Sequence, residues 1–145
     1  MSMSYVSLFL HFVWTTKRRQ AWLLPEVEER LFAVMIAEAK ELGCQVLAIN
    51  AMPDHVHLLV HAPTTIRPME VMRQVKGVSS RFATDTLGIT GFAWQEGYGV
   101  FSVSRNHVAR VCNYIWNQKE HHAVGSTWPS LEVSARDSPG GKSPV

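Results

Sequence analysis

An α+β fold built on an antiparallel sheet is predicted by three features of the sequence. Segments of strand-like alternation are interleaved with segments of helical periodicity, two of the strand segments join through a short turn, and one more amphipathic helix follows the last strand. The 145 residues are 46% hydrophobic, which suggests one compact domain, residues 1–125, with a buried core of its own.

Residues Tyr5 to Thr15 alternate, with Val6, Leu8, Leu10, Phe12 and Trp14 on one face and Ser7, Phe9, His11 and Val13 on the other. From Pro25 the apolar spacing becomes three-to-four, through Val27, Leu31, Val34, Met35 and Leu42. Glu26, Glu28 and Glu29 suit the positive first turn of this helix, and Gly43 stops it. Cys44 to Ala51, a turn at Met52-Pro53-Asp54, and His55 to His61 read as a hairpin. A second helix starts near Pro68, turns Val71, Val75, Val78 and Phe82 inward, leaves Arg73, Lys76 and Ser80 on another face, and ends near Gly88. Tyr98 to Ser104 is the fourth strand, and Asn106 caps a last helix that runs to about His122 with Val108, Val111 and Ile115 inward. The order βαββαβ, then α, matches the ferredoxin-like or RRM-like arrangement: two helices cover one sheet face, and the other is left for a ligand or the additional C-terminal helix. After Gly125 the Ser, Pro and Gly content predicts a flexible tail over 126–145.

No apolar run approaches the roughly 18 residues that span a bilayer, and the first residues lack the pattern of a secretion signal, so a cytoplasmic protein is expected. Cys44 and Cys112 have no metal-ligand spacing and read as reduced thiols. Net charge is only +2, too mild to announce a nucleic-acid partner by itself. The distribution says more: Lys17, Arg18 and Arg19 are contiguous, and Arg67, Arg73, Lys76 and Arg81 share a segment with only Glu70 and Asp85. Charge alone makes these solvated faces more often than phosphate contacts.

In the third strand Val56, Leu58 and Val60 take the core side, which puts His55, His57, Leu59 and His61 on the other. Residues i and i+2 of a strand lie about 6.7 Å apart, close enough for two imidazoles to lean onto one ion. Read alone, a His-hydrophobic-His triplet still favours two exposed histidines without a ligand. His61 belongs to the rim. On the last helix Tyr114 and Gln118 are four apart, so one face presents a phenol and an amide oxygen together. Ordinary packing and solvation are the usual fates of such residues. His121 and His122 extend that surface and could substitute as ligands, although histidines also suit a helix C-terminus. A phenol with a pKa of about 10 attacks only an activated electrophile, which a metal ion on a phosphoryl group would supply. A two-metal nuclease would require a carboxylate cluster, and only Asp54, Glu96 and Glu120 lie near these motifs.

The segments HFVWTTKRR from His11, MPDHVHLLV from Met52, WQEGYGVFSVS from Trp94 and YIWNQKEHH from Tyr114 closely resemble the HUH single-tyrosine transposases of bacterial insertion sequences, a family that includes the REP-associated tyrosine transposases. The resemblance covers roughly residues 5 to 122, and four motifs in order are far more specific than the histidine triplet. It implies a divalent ion, Mg²⁺ or Mn²⁺, and cleavage and rejoining of single-stranded DNA at mobile-element ends through a 5′-phosphotyrosine link. Residue by residue, it implies His55 and His57 as the paired metal ligands, Gln118 as the third metal contact and Tyr114 as the nucleophile. It further implies hairpin-forming DNA ends as partners, and a homodimer in which the tyrosine helix of one copy can complete the site of the other.

His11 shares its strand face with Ser7 and Phe9 and should lie beside the histidine pair, as support behind it or as a DNA contact; His121 is a second supporting candidate. Lys17, Arg18, Arg73, Lys76 and Arg81 are the candidate DNA contacts. Trp94 and Tyr98 divide evenly between stacking on unpaired bases and core packing. Two competing readings stand beside the mobile transposase: a domesticated relative that nicks chromosomal palindromic repeats, and a noncatalytic single-strand or RNA-binding module. The pairing of Tyr114 with Gln118 argues against the last.

Overall fold

A computed structural model describes residues 4–125 together with Thr127 and Glu132. The elements are β1 (Phe9–Thr15), α1 (Pro25–Glu41), β2 (Gln45–Met52), β3 (His55–His61), α2 (Pro68–Asp85), β4 (Gly99–Val103), α3 (Val108–Trp116) and α4 (Gln118–Val124). Single 3-10 turns, Lys17–Arg19 and Arg105–His107, follow β1 and precede α3. The sheet order is β2-β3-β1-β4 with every pair antiparallel, the ferredoxin-like arrangement.

Strand alternation splits the chain into two cores. Leu10, Phe12 and Trp14 of β1 and Val56, Leu58 and Val60 of β3 meet Leu31, Met35 and Ala39 of α1 and Val71, Met72 and Val75 of α2. On the opposite face Ala48 and Leu59 meet Val111 and Ile115, so α3 is the helix that covers it. Seated there, α3 brings its neighbouring side chains over the histidines.

Several element boundaries differ from the sequence expectation. β1 begins at Phe9 rather than Tyr5, because the ladders with β3 and β4 both start at Phe9. The buried stripe of α2 is Val71, Met72, Val75, Ser79 and Ala83, so Val78 and Phe82 do not lead it. This helix packs on α1 as well as on the sheet, and Phe82 is half-buried beneath the Arg30 guanidinium of α1. Asn106 is not a cap: Ser104 precedes the 3-10 turn and its Oγ lies 2.6 Å from His107 Nδ1. The last helix is two helices, broken at Asn117, which has φ −99° and ψ 23° and whose backbone N–H and side-chain amide both donate to the Asn113 carbonyl, at 3.1 and 2.9 Å. The tail expected over 126–145 lies outside the described residues except for Thr127 and Glu132. Among the described residues no helix is long and apolar enough to cross a membrane.

Candidate metal and nucleophile centre

The β3 alternation delivers His55 and His57 to the α3 side, where both are buried. His61 sits at the rim, half-buried, with Nε2 3.1 Å from the Val6 carbonyl. The apolar anchors Val111 and Ile115 fix α3, and Tyr114 between them is buried against the histidines, its ring centroid 6.1 Å from that of His57. Gln118 opens α4, fully buried, with Oε1 3.3 Å from His55 Nε2. All four residues singled out for the chemistry therefore meet in one place.

Two further residues join them. His122 Nε2 lies 2.8 Å from Gln118 Oε1. Glu132 Oε1 lies 3.1 Å from His55 Nε2, 3.2 Å from His57 Nε2 and 3.2 Å from His122 Nε2, and the Tyr114 hydroxyl donates to Glu132 Oε2. Nothing in the sequence marks Glu132 for this site beyond its being an acid in a Ser- and Pro-containing segment without periodicity. His121, expected to support the site, stacks on the Tyr114 ring at 4.6 Å, while its neighbour His122 makes the contact with Gln118 and Glu132.

Behind the cluster each strand imidazole is held by its second nitrogen. His55 Nδ1 lies 2.8 Å from Asp54 Oδ1, and Asp54 Oδ2 pairs with Arg19 Nη1 at 3.3 Å. His57 Nδ1 lies 2.9 Å from His11 Nε2, with the two rings stacked. Burial and then the neighbouring His57 push the His11 pKa down to about 3, so His11 is neutral and can accept from His57. Burial also lowers His57. Burial would lower His55 too, but its bonds to Glu132 and Asp54 outweigh this and hold it above its ordinary value. Burial would raise Glu132, yet the bonds from His55 and His57 hold its carboxyl well below the usual range.

Because Nδ1 of each strand histidine is engaged behind the cluster, the Nε2 atoms face the Glu132 and Gln118 oxygens. A mixed set of imidazole, amide and carboxylate donors converging in this way would fit a divalent ion. The ligand atoms of His55, His122 and Glu132 all lie within 4.8 Å of one another. Gln118 Nε2 is buried with no hydrogen-bond partner among the described residues, consistent with an amide turned to present its oxygen.

The basic residues fall into two groups. Lys17, Arg18 and Arg19 are exposed beside the histidines, since Thr15 pairs with His55 in the ladder. Arg18 and Arg19 adopt φ of 55° and 58°, which is uncommon for such side chains and marks a constrained turn. Arg73 and Arg81 are exposed on α2, which packs on the sheet face away from the histidines. Lys76 does not share their exposed face: its Nζ donates to the carbonyls of Gln95 and Gly97, both at 2.9 Å. Trp94 is core, edge-on to Trp14 at 5.8 Å and bonded to Ser79 Oγ at 3.0 Å, and Tyr98 packs on the same core.

Val111 and Ile115 bury α3 against Ala48 and Leu59 of the same sheet, which places Tyr114 and Gln118 over the chain's own histidines.

Residues 4–118 match the model of the family described as IS200-like transposases. The ISDra2 transposase TnpA of Deinococcus radiodurans is 31% identical over 116 residues, which cover 76% of this chain and 83% of that one. A crystal structure from Deinococcus radiodurans R1, described as a transposase, superposes with a TM-score of 0.62 at 30% identity and covers 81% of this chain and 96% of its own. A REP-associated tyrosine transposase bound to a REP hairpin gives a TM-score of 0.63 at 17% identity over 89% of this chain and 79% of its own, a likeness of fold. With the sheet order, the buried histidine pair and the tyrosine helix in place, the family match over most of the chain leads to one conclusion: this protein belongs to the IS200-like transposases.

Proposed function

We propose that this transposase cuts and rejoins single-stranded DNA at element ends, with Tyr114 as nucleophile and a divalent ion, Mg²⁺ or Mn²⁺, held by His55, His57 and Gln118 with His122 and Glu132 beside them. The observation that carries the reading is the placement of the buried Tyr114 hydroxyl against Glu132, whose other oxygen meets the three imidazoles. A binding module gains nothing from burying a phenol there.

The ion, when bound, would polarise a phosphoryl oxygen and stabilise the charge that develops at phosphorus. The chain's residues do the rest. Tyr114 Oη gives up its proton and forms a bond to phosphorus while the bond to the 3′ oxygen breaks, and the departing oxygen takes up one proton in exchange and leaves as a hydroxyl. The product is a 5′-phosphotyrosine, which a free 3′ hydroxyl reverses by the same displacement, so no water is consumed. Glu132 is held ionised and accepts the phenol's hydrogen bond, which orients the hydroxyl for attack. Asp54 and His11 fix the tautomers of His55 and His57. Lys17 and Arg18, exposed beside the histidines, would hold the strand at the site; Arg73 and Arg81, across the sheet, would meet a more distant part such as a hairpin stem. A homodimer acting on paired ends, in which the tyrosine helix can serve its own or the partner's histidines, completes the proposal.

The deciding experiment incubates the protein and Mn²⁺ with a labelled single strand of the DNA that flanks its gene, then resolves covalent adducts on a denaturing gel. The wild type should form an adduct and Tyr114→Phe none, while Tyr114→Phe still binds the strand. An adduct that persists in Tyr114→Phe would move the nucleophile to Tyr98 or Tyr5, and full activity in excess chelator would remove the ion.

A further inference from the structure

Asn50 lies on β2 directly opposite His57 in the antiparallel ladder, so the two side chains share the sheet face under α3. Its amide reaches from the sheet to both C-terminal helices. Nδ2 donates to the Ile115 carbonyl at 3.0 Å and the Trp116 carbonyl at 3.1 Å, the last two residues of α3. Oδ1 accepts from Lys119 Nζ of α4 at 3.0 Å and from the Ala51 N–H at 2.9 Å. Lys119 in turn pairs with Glu28 of α1 at 3.0 Å.

The final carbonyls of a helix have no intrahelical donor and must find one elsewhere. At the end of α3 that donor is a side chain fixed in the sheet beside His57. The chain then bends at Asn117, with φ −99° and ψ 23°, and restarts as α4. Tyr114 stands three residues before this joint and Gln118 one residue after it. Any rotation at the joint changes the distance between the phenol and the amide oxygen, and any sliding of α3 shifts both relative to His57.

We propose that Asn50 is a positioning residue for strand cleavage: it clamps the α3–α4 joint to the strand that neighbours His57 and so holds Tyr114 and Gln118 in register with the histidines. The proposal rests on the reading of Tyr114 as nucleophile. It gives Asn50 a role through the joint that carries Tyr114 and Gln118.

Asn50→Asp tests this, because it keeps the shape and the acceptor for Lys119 but sets a carboxylate against two carbonyls. Asn50→Ser removes the amide altogether and serves if the first variant loses its fold. Hydrogen exchange of the full chain without DNA should accelerate about tenfold or more across 113–121, the effect of removing two hydrogen bonds, and stay unchanged in β1 and β3. With Mn²⁺ and the labelled flanking strand, the single-turnover rate of adduct formation should fall about 10- to 100-fold, the cost of a small misplacement, while the half-saturating DNA concentration stays within about twofold. An unchanged adduct rate, a loss confined to DNA affinity, or exchange that accelerates in the sheet instead of the joint would overturn the proposal. So would loss of fold in both variants, which would make Asn50 a sheet residue alone. If the wild type itself forms no adduct, the nucleophile reading falls, and the exchange arm still decides whether Asn50 clamps the joint.

Discussion

His11 Nε2 lies 2.9 Å from His57 Nδ1, across adjacent strands and wholly shielded from solvent. His11 is neutral in the fold with a pKa of about 3 and would titrate near 6.5 once unfolded. The unfolded chain therefore takes up a proton first as pH falls. The contribution of His11 to stability is complete above about pH 6.5, declines by up to roughly 1.4 kcal/mol per pH unit, and is exhausted near pH 3. His11→Phe should flatten the acid limb of a denaturation-midpoint profile measured in EDTA, and should weaken Mn²⁺ binding in calorimetry about 10- to 100-fold by freeing His57. Parallel acid limbs for the two proteins would show that His11 does not set this slope.

Much of this arrangement was legible in the sequence because alternation on β3 admits only one pair of faces: if Val56 and Leu58 are core, His55 and His57 must share the other side. The seat of α3 followed from Val111 and Ile115 in the same way. What local patterning could not show was tertiary in origin. Asn117 breaks the last helix where Asn50, distant in sequence, offers a donor to the freed carbonyls. Glu132 enters the cluster from a segment with no periodicity at all. Lys76 has helical spacing with Arg73 but is drawn to the carbonyls of a loop whose position no helical wheel contains.

That separation of Lys76 from Arg73 has a measurable consequence. Replacing Arg73 and Arg81 with alanine should leave thermal stability nearly unchanged and reduce the salt slope of DNA binding, by about one for each phosphate that is no longer neutralised. Lys76→Ala should instead lower the melting temperature, because two loop carbonyls are deprived of their shared donor, with little effect on the slope. A salt slope that falls with Lys76→Ala alone would return Lys76 to the DNA surface.

Glu132 supplies the only carboxylate that meets both the imidazoles and the phenol among the described residues. Glu132→Gln keeps the shape and removes the charge. Calorimetric Mn²⁺ affinity should fall by at least about tenfold and adduct formation should slow with it. Unchanged Mn²⁺ affinity combined with faster adduct formation would mean that the carboxylate competes with the ion instead of joining it.

The last prediction concerns where the tyrosine helix acts. Within one chain Tyr114 lies over His57 and Gln118 reaches His55, and the apolar contact of Val111 and Ile115 with Ala48 and Leu59 holds that seating. Exchange with a second copy would have to expose and then rebury those side chains, each worth about 1.5–3 kcal/mol when fully buried. Mixing inactive Tyr114→Phe with inactive His57→Ala, under conditions where subunit exchange is verified by a labelled partner, separates the two geometries. With each site completed by its own chain, one copy lacks the nucleophile and the other lacks a ligand, so no mixed dimer regains cleavage. With helices exchanged, one of the two sites in a mixed dimer holds both intact histidines and an intact tyrosine, and cleavage returns. The seating of α3 predicts no recovery; cleavage restored in the mixture would show that α3 and α4 leave this sheet to serve the partner during the reaction.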